Sequence, residues 1–178
     1  MKSFDAESLT GQYITFKLGD ETFAVSVHQV REVLDITEFA RIPNAPDYMR
    51  GVVNVRGSAI PVVDLRKKFG LPSTEPSDDS RIVIIELQTE DEVCVVGGMA
   101  DSVKEVLELR SSDIDEPPKL GVNWHSEFIQ GLGKQGDEFI ILLNMQHLFE
   151  MDDLADTLTE LNQDQLEAAA QPAAQPGK

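Results

Sequence analysis

The segment Ile60-Pro61-Val62-Val63-Asp64-Leu65 returns in type 80 positions later as Ile140-Ile141-Leu142-Leu143-Asn144-Met145. The residues ahead of each copy keep the same spacing, because Tyr48-Met49-Arg50-Gly51-Val52 matches Phe128-Ile129-Gln130-Gly131-Leu132. In both copies a short apolar run follows a glycine-containing break, which is typical of the second strand of a hairpin. The chain therefore contains an internal repeat.

The repeat extends to the beginning of each copy. Val30-Arg31-Glu32-Val33-Leu34 matches Val103-Lys104-Glu105-Val106-Leu107, and the strand-like alternation of residues 13–27 matches that of residues 81–96. A solenoid needs about three repeats to bury its core, so two copies indicate a duplicated lobe. The short, turn-rich strands favour small barrels over a parallel βαβ sheet. We therefore expect two small β-barrels packed together.

Three local patterns add further predictions. The apolar residues of segment 27–34 are spaced to share one helical face, which predicts a short helix. Pro61 stands where the second copy has Ile141, and its missing N–H predicts an edge strand or a bulge. Apolar residues between 148 and 161 follow a helical period, with acidic residues facing outward, which predicts a C-terminal helix.

The predicted organisation centres on one folded region, residues 11–150. A flexible N-terminus covers residues 1–10. Lobe one covers about 11–70, a Pro/Ser/acidic connector about 70–80 and lobe two about 81–149. The C-terminal helix is expected over 151–166, and the Ala/Gln/Pro-rich tail over 167–178 is expected to be disordered.

Composition excludes several classes of function. The 178 residues include 15 Lys and Arg and 32 Asp and Glu, giving a formal net charge of −17. Binding to a nucleic-acid backbone or to an anionic membrane needs a positive surface, so both are disfavoured. No apolar run approaches the roughly 18 residues of a membrane span, and no secretory signal begins the chain. With Cys94 as its single cysteine, the sequence predicts a cytoplasmic protein.

No motif in the sequence predicts a cofactor, a metal or a catalytic residue. Gly131 to Gly136 spells G-x-G-x-x-G, but an apolar strand-like run follows it where a dinucleotide site needs a helix. The histidines lack ligand spacing, and one cysteine cannot complete a zinc site. Cys94 lies among valines, which favours an inert buried thiol. The abundant carboxylates leave a hydrolase open as a less favoured alternative.

Arg56 is the residue for which the repeat is most informative. Its counterpart in the second copy is Gly136, so the architecture alone does not require a guanidinium at this hairpin tip. Gly57 can adopt the positive φ of a turn, and Arg56 would project a rigid five-donor fork from it. A solvated turn arginine and a partner-binding arginine are equally compatible with this pattern.

Taken together, these segments resemble the CheW family, the coupling adaptors of bacterial chemotaxis-type signalling arrays. The resemblance rests first on the run from Asn54 to Arg66, Asn-Val-Arg-Gly-Ser-Ala-Ile-Pro-Val-Val-Asp-Leu-Arg. Supporting matches are Leu18-Gly19-Asp20-Glu21, Ile42-Pro43-Asn44-Ala45-Pro46 and Phe128-Ile129-Gln130-Gly131-Leu132-Gly133, so that residues 11–150 are covered in one register. The resemblance implies a mainly β fold of two five-stranded SH3/OB-like barrel lobes around a shared interior, with short helices and without enzymatic activity. It also allows strands to be exchanged between the lobes.

The resemblance also implies partners and contact residues. The partners would be the regulatory domain of a CheA-type histidine kinase and the cytoplasmic tip of methyl-accepting chemoreceptors, whose arrays would recruit the protein to the membrane. Val30, Val33, Arg56 and Gly57 would meet the receptor, and Glu32 would lie toward the kinase. Burial within their own lobe is an equal alternative for the two valines, and a structural role is the alternative for Glu32, because Glu105 matches it.

Other functions remain open at this point. The first is a CheW-type adaptor of a non-flagellar pathway, such as surface motility. The second, much less favoured, is a small β-barrel that binds nucleic acid, because only 6% of the residues are aromatic and the charge is strongly negative.

Overall fold

The computed structural model describes residues 4–72, 74–88, 93–117 and 128–150, and these residues are mainly β. Its strands and helices follow this order: β1 Gly11–Leu18, β2 Glu21–Ser26, β3 Val30–Asp35, β4 Met49–Val55, β5 Ser58–Asp64, α1 Leu65–Lys68, β6 Arg81–Gln88, β7 Val93–Ala100, β8 Ser102–Leu109, β9 Ile114–Asp115, β10 Ile129–Gln135, β11 Glu138–Leu143 and α2 Met145–Glu150. The predicted C-terminal helix over 151–166 and tail over 167–178 lie outside the described residues.

The strands form two sheets, which confirms the predicted fold class. The first sheet has the order β8-β1-β2-β11-β10-β9, and the second has the order β3-β6-β7-β5-β4. The first sheet contains one strand more than the predicted five, since the two-residue strand β9 pairs with β10. Both sheets consist of short, mostly antiparallel strands, as the turn-rich sequence indicates.

Each sheet takes a hairpin from the other half of the chain. The β1–β2 hairpin lies in the sheet of β8 to β11, and the β6–β7 hairpin lies in the sheet of β3 to β5. In each sheet the exchanged hairpin joins the remaining strands through one parallel pairing. In the first sheet β11 pairs with β2, with Ile141 opposite Phe23, and in the second sheet β5 pairs with β7, with Val63 opposite Gly98. When each strand is matched to its counterpart in the other copy of the repeat, the five strands that both copies contain have the same order in the two sheets. The exchange therefore ties the two halves of the chain together.

Three apolar clusters fill this framework. Two of the clusters consist mainly of side chains from a single sheet: one surrounds Ile140 in the first sheet, and the other surrounds Ile84 in the second. The largest cluster is shared, since it combines Phe16 and Phe23 of the first sheet with Ile85 of the second. Burying large side chains contributes about 1.5–3 kcal/mol each, so this shared cluster holds the lobes against each other.

Segment 27–34 forms a strand and not the predicted helix. Only Val27–Gln29 makes a 3₁₀ turn, and Val30–Asp35 is β3, paired with β6. The register shifts between Val30 and Glu32, so that Val30 and Val33 face the same side of the strand although they are three residues apart. A β-bulge thus imitates a helical period, and the pairing with β6 overrides the local pattern.

Pro61 does not mark an edge strand, because β5 lies between β4 and β7 and Pro61 is buried. Pro61 faces Val52 of β4, whose N–H and C=O are both bonded to Ala40 on its other side. The pairing of β5 with β7 begins only at Val62. No neighbouring strand therefore needs the N–H that proline lacks.

Three further segments can be compared with their predictions. In the predicted flexible N-terminus, Ala6–Leu9 form a 3₁₀ turn, and Phe4 packs against the cluster of the first sheet. The glycine-rich run from Gly131 to Gly136 belongs to the β10–β11 hairpin, as expected from the strand-like residues after it. Cys94 is buried in β7, also as expected.

Candidate functional site

The tip between β4 and β5 holds Arg56 and Gly57 in a two-residue turn with positive φ at both positions, 52° and 86°. This combination belongs to the type I′ hairpin turn, which normally carries Asn, Asp or Gly at its first position. Asn54 supports the turn, because its Oδ1 accepts the N–H of Gly57 at 2.8 Å. The turn therefore fixes the direction in which the Arg56 side chain leaves the sheet.

The equivalent position in the second copy of the repeat is a glycine, which also has positive φ. Gly136 has φ 62° at the tip between β10 and β11. Left-handed backbone is costly for a side chain with a Cβ, whereas glycine adopts it freely. A non-glycine residue that persists in a strained conformation is a pointer to function. Arg56 is such a residue, and the difference between the two copies of the repeat is enough to single it out.

The Arg56 guanidinium is bound by Glu32 of β3. Its Nη1 donates to Glu32 Oε2 at 2.5 Å, and its Nη2 donates to Glu32 Oε1 at 3.0 Å. These hydrogen bonds, and the nearby negative charge, raise the pKa of Arg56. The Arg56 side chain is 78% exposed and that of Glu32 only 23%. The pair therefore presents a guanidinium to solvent on a carboxylate that is held against the strand.

This ion pair lies at an open groove of about 280 Å³. In the second sheet β3 and β4 are the two outer strands, and the groove runs along the seam between them. It is lined by apolar and polar side chains: Leu34, Val53, Val55, Thr37, Asn54, Asp35, Glu32 and Arg56. Beside it, Ala40 and Val52 exchange two backbone hydrogen bonds of 2.9 and 2.8 Å. A shallow surface with apolar side chains beside paired charges suits protein binding.

Val30 and Val33 are not part of this groove. They lie opposite Ile85 and Val83 of β6, which belong to the shared cluster, whereas Glu32 lies opposite Ile84, which belongs to the interior of the second sheet. Val30 packs against the shared cluster, and Val33 is 36% exposed at its margin. The structure thus brings Arg56, Gly57 and Glu32 together and places the two valines on the reverse face of β3.

Sequence reasoning missed the apolar lining of the groove, namely Leu34, Val53 and Val55. These residues carry no motif, and their shared location follows only from the way the outer strands meet. One signal was available in the repeat, because Asn54, which supports the tip, matches Lys134. The two tips therefore differ in the residue that supports the turn as well as in the residue that projects from it.

Arg66, the last residue of the family-like run, serves a second polar cluster. Its Nη2 donates to Asp101 Oδ2 at 2.7 Å and its Nη1 to the Pro72 carbonyl at 2.8 Å. The same Asp101 oxygen accepts the N–H of Gly19 at 2.7 Å. Bonding to Arg66 lowers the pKa of Asp101, although partial burial opposes this shift. Asp101 thereby links the β1–β2 turn of the first sheet to Arg66 of α1.

The carboxylates of the groove are occupied by arginines. Glu32 is bound to Arg56, and Asp35 Oδ1 lies 3.3 Å from Arg81 Nε. Across the described residues, no three or more His, Cys, Asp and Glu side chains are grouped so that they could hold a metal ion. The geometry gives a recognition surface whose charged groups are paired with each other.

Comparison with known proteins gives consistent results. A family model described as the CheW-like domain matches residues 12–153. Chemotaxis protein CheW of Klebsiella aerogenes is 29% identical over 84% of this chain and 87% of its own length. The corresponding protein of Bacillus subtilis is 35% identical over 64% of this chain and 71% of its own.

A solved structure supports the same relationship. The scaffolding protein TtCheW from Thermoanaerobacter tengcongensis superimposes with a TM-score of 0.71 at 31% identity. The match covers 80% of this chain and 94% of that protein. The similarity therefore extends through both sheets and is not limited to one motif.

Proposed function

The chain belongs to the CheW-like family of scaffolding adaptors, which are not enzymes, and we propose that it couples methyl-accepting chemoreceptors to a CheA-type histidine kinase. In this role it holds the regulatory domain of the kinase against the cytoplasmic tip of the receptors in a chemosensory array. Its function is then to bind two proteins at two different surfaces, and its specificity depends on how well each surface fits its partner.

The observation that carries this proposal is the strained conformation of Arg56. The backbone cost at the tip has no counterpart in the second copy, where the equivalent position with positive φ is Gly136. We assign Arg56 and Gly57 to the receptor contact, since a helix of the receptor hairpin can lie against the apolar floor of the adjoining groove. Val33 would contact the receptor from the reverse face of β3, with Val30 supporting it from the shared cluster.

The kinase contact is proposed to involve Glu32. Part of its side chain remains exposed on the outer strand β3, so a second protein can reach it while its oxygens hold Arg56. The described residues include no helix with the length and hydropathy required to cross a bilayer. We propose that the protein acts in the cytoplasm and reaches the membrane through the receptor array.

Binding of Arg56→Ala to each partner tests the proposal. Receptor fragment and kinase are immobilised separately, and the melting temperature is recorded alongside. We expect the variant to lose receptor binding, to keep kinase binding and to melt near the wild-type temperature. Unchanged receptor binding would remove Arg56 from the site. The pathway served, flagellar chemotaxis or surface motility, is read from the genes adjacent to this one.

A further inference from the structure

We propose that the contact between Arg66 and Asp101 is a lock that sets the angle between the two sheets, and that breaking it lets the sheets move as two rigid bodies. The lock involves none of the residues assigned to the receptor or the kinase. It therefore goes beyond the proposed function and can be tested without either partner.

The backbone joins the two sheets through very few residues. In the part of the chain that the structure describes, it passes from the first sheet to the second through Val27–Gln29 and returns through Asp101, which alone separates β7 from β8. A few residues at the ends of elements can absorb the rotation between two rigid bodies. These two crossings are therefore the places where the sheets can turn relative to each other.

Asp101 is bonded from both sides of its crossing. Arg66 lies in α1, directly after β5 of the second sheet; its Nε donates to Asp101 Oδ1 at 2.8 Å and its Nη2 to Oδ2 at 2.7 Å. On the side of the first sheet, the Gly19 N–H donates to Oδ2 at 2.7 Å, and the Asp101 N–H donates to the Lys17 carbonyl at 3.0 Å. Two parallel charge-assisted hydrogen bonds fix direction as well as distance. The Asp101 carboxylate therefore holds both sheets at the crossing.

The second copy of the repeat has an equivalent contact without charge. Its Gln146 matches Arg66, and its Gln88 matches Gly19. The Gln88 N–H donates to Gln146 Oε1 at 2.7 Å, and Gln146 Nε2 donates to the Gln88 carbonyl. Since α2 follows β11 of the first sheet and Gln88 ends β6 of the second, this contact also joins the sheets. It lies at the end of a strand, however, and not at a crossing.

The other crossing is held only by local hydrogen bonds among the described residues. Its His28 N–H donates to Ser26 Oγ at 3.3 Å, and the Val30 N–H donates to the Val27 carbonyl. The shared apolar cluster opposes separation of the sheets, but the hydrophobic effect is non-directional and allows small sliding movements. The angle therefore depends on the directional bonds at Asp101. With the side chain of Arg66 15% exposed and that of Asp101 31% exposed, solvent and salt weaken this pair less than a fully exposed one.

Residual dipolar couplings of the backbone N–H groups test the lock in the full-length protein. In wild type, one alignment tensor should fit both sheets. In Arg66→Met, which removes the guanidinium, each sheet should still fit a tensor of its own, and the two tensors should differ in magnitude because motion between the sheets averages the couplings. A single tensor with unchanged couplings in this variant would overturn the proposal.

Asp101→Asn is the milder variant, because an asparagine oxygen can still accept the Gly19 N–H. It should also require two tensors. Failure of both variants to fold would show that the contact is needed for the fold itself, and this too would overturn the proposal.

The double variant tests whether Arg66 acts through Asp101, since Arg66 also donates to the Pro72 carbonyl at 2.8 Å. Arg66→Met combined with Asp101→Asn should separate the two tensors no further than the more affected single variant does, because both changes break one contact. A further separation in the double variant would show that the two residues act independently, which contradicts the lock.

Two controls show whether the effect belongs to this crossing. Arg31→Met breaks the ion pair with Glu86, which joins two strands of the same sheet, and should leave one common tensor. Gln146→Met breaks the equivalent neutral contact and should also leave one common tensor. Separation of the tensors in Gln146→Met as large as in Arg66→Met would contradict the assignment of the lock to Asp101.

Discussion

Arg56 and Gly136 occupy equivalent positions at two hairpin tips, and both have positive φ, 52° and 62°. The duplicated fold therefore accepts glycine at this position, and the first copy carries a side chain that the backbone disfavours. The side chain is bound by Glu32 beside a groove with an apolar floor. A residue retained against the preference of its backbone is best explained by what its side chain binds.

Replacing Arg56 with glycine should separate stability from function. Arg56→Gly relieves the strained backbone while losing an exposed ion pair, so we expect the melting temperature to change by no more than about 3 °C. Receptor binding should be lost. The matched control is Gly136→Ala, which introduces the strain and should cost about 1 kcal/mol without affecting the receptor. A large loss of stability in Arg56→Gly would show that the arginine is structural.

Gly51 should be the most sensitive position beside the groove. A Cβ there would lie 2.6 Å from the Ala40 carbonyl oxygen and 3.0 Å from Phe39 Cβ, and the backbone has φ 146°. We expect Gly51→Ala to lower the free energy of unfolding by about 2 kcal/mol or more, measured by urea denaturation. Gly57→Ala meets no atom within 4 Å and should cost only the backbone strain, about 1 kcal/mol. Equal costs would refute the close approach at Ala40.

Asp101 should make stability dependent on acid pH. Its pKa is lowered in the folded protein, chiefly by the hydrogen bond from Arg66, so its stabilisation is complete above the unfolded pKa of about 4. That stabilisation is lost as the pH falls through the folded pKa. The difference in unfolding free energy between wild type and Asp101→Asn should therefore shrink below about pH 4. A difference that stays constant from pH 7 to pH 3 would contradict this account.

Asp64 should be replaceable by the residue that the repeat places in the second copy. Asp64 is 1% exposed; its Oδ1 accepts the N–H of Arg66 at 3.0 Å, and its Oδ2 has no partner among the described residues. Asn144 caps α2 in the same way, accepting from His147 at 2.9 Å.

We therefore expect Asp64→Asn to keep the cap and to change the melting temperature by no more than about 3 °C. Asp64→Ala should cost about 1 kcal/mol or more, because it removes the cap. Thermal unfolding of the two variants measures how much each substitution destabilises the protein. Equal destabilisation by the two substitutions would mean that the negative charge, and not the cap, is what the fold requires.

The fold class followed from the sequence because the repeat constrains it. Matching hairpins at a fixed spacing predicted two related lobes, and both sheets have the same order of their five common strands. The exchange of hairpins was left open, since periodicity reports which face a residue presents and not which strand lies beside it. The helix expected over 27–34 was wrong because a bulge between Val30 and Glu32 imitated its period.

The site was predicted in part. The difference between Arg56 and Gly136 requires only the sequence, but it is equally compatible with a solvated arginine and a partner-binding arginine, and the receptor contact of Arg56 stays a prediction. The pairing of Arg56 with Glu32 could not be predicted, because it spans two outer strands that meet only when the sheet curves. Val30 and Val33 illustrate the same limit: their apolar character is compatible with burial or contact, and the register decides that they lie on the face opposite Glu32.

Co-sedimentation of the kinase with receptor-bearing membranes tests the central claim most directly. Purified kinase and membranes are mixed with wild-type protein, with Arg56→Gly or with neither. Wild type should bring the kinase into the pellet, whereas Arg56→Gly should bind the kinase and leave it in the supernatant. If Arg56→Gly sediments the kinase as well as wild type does, or if the kinase sediments equally without the protein, the account is contradicted.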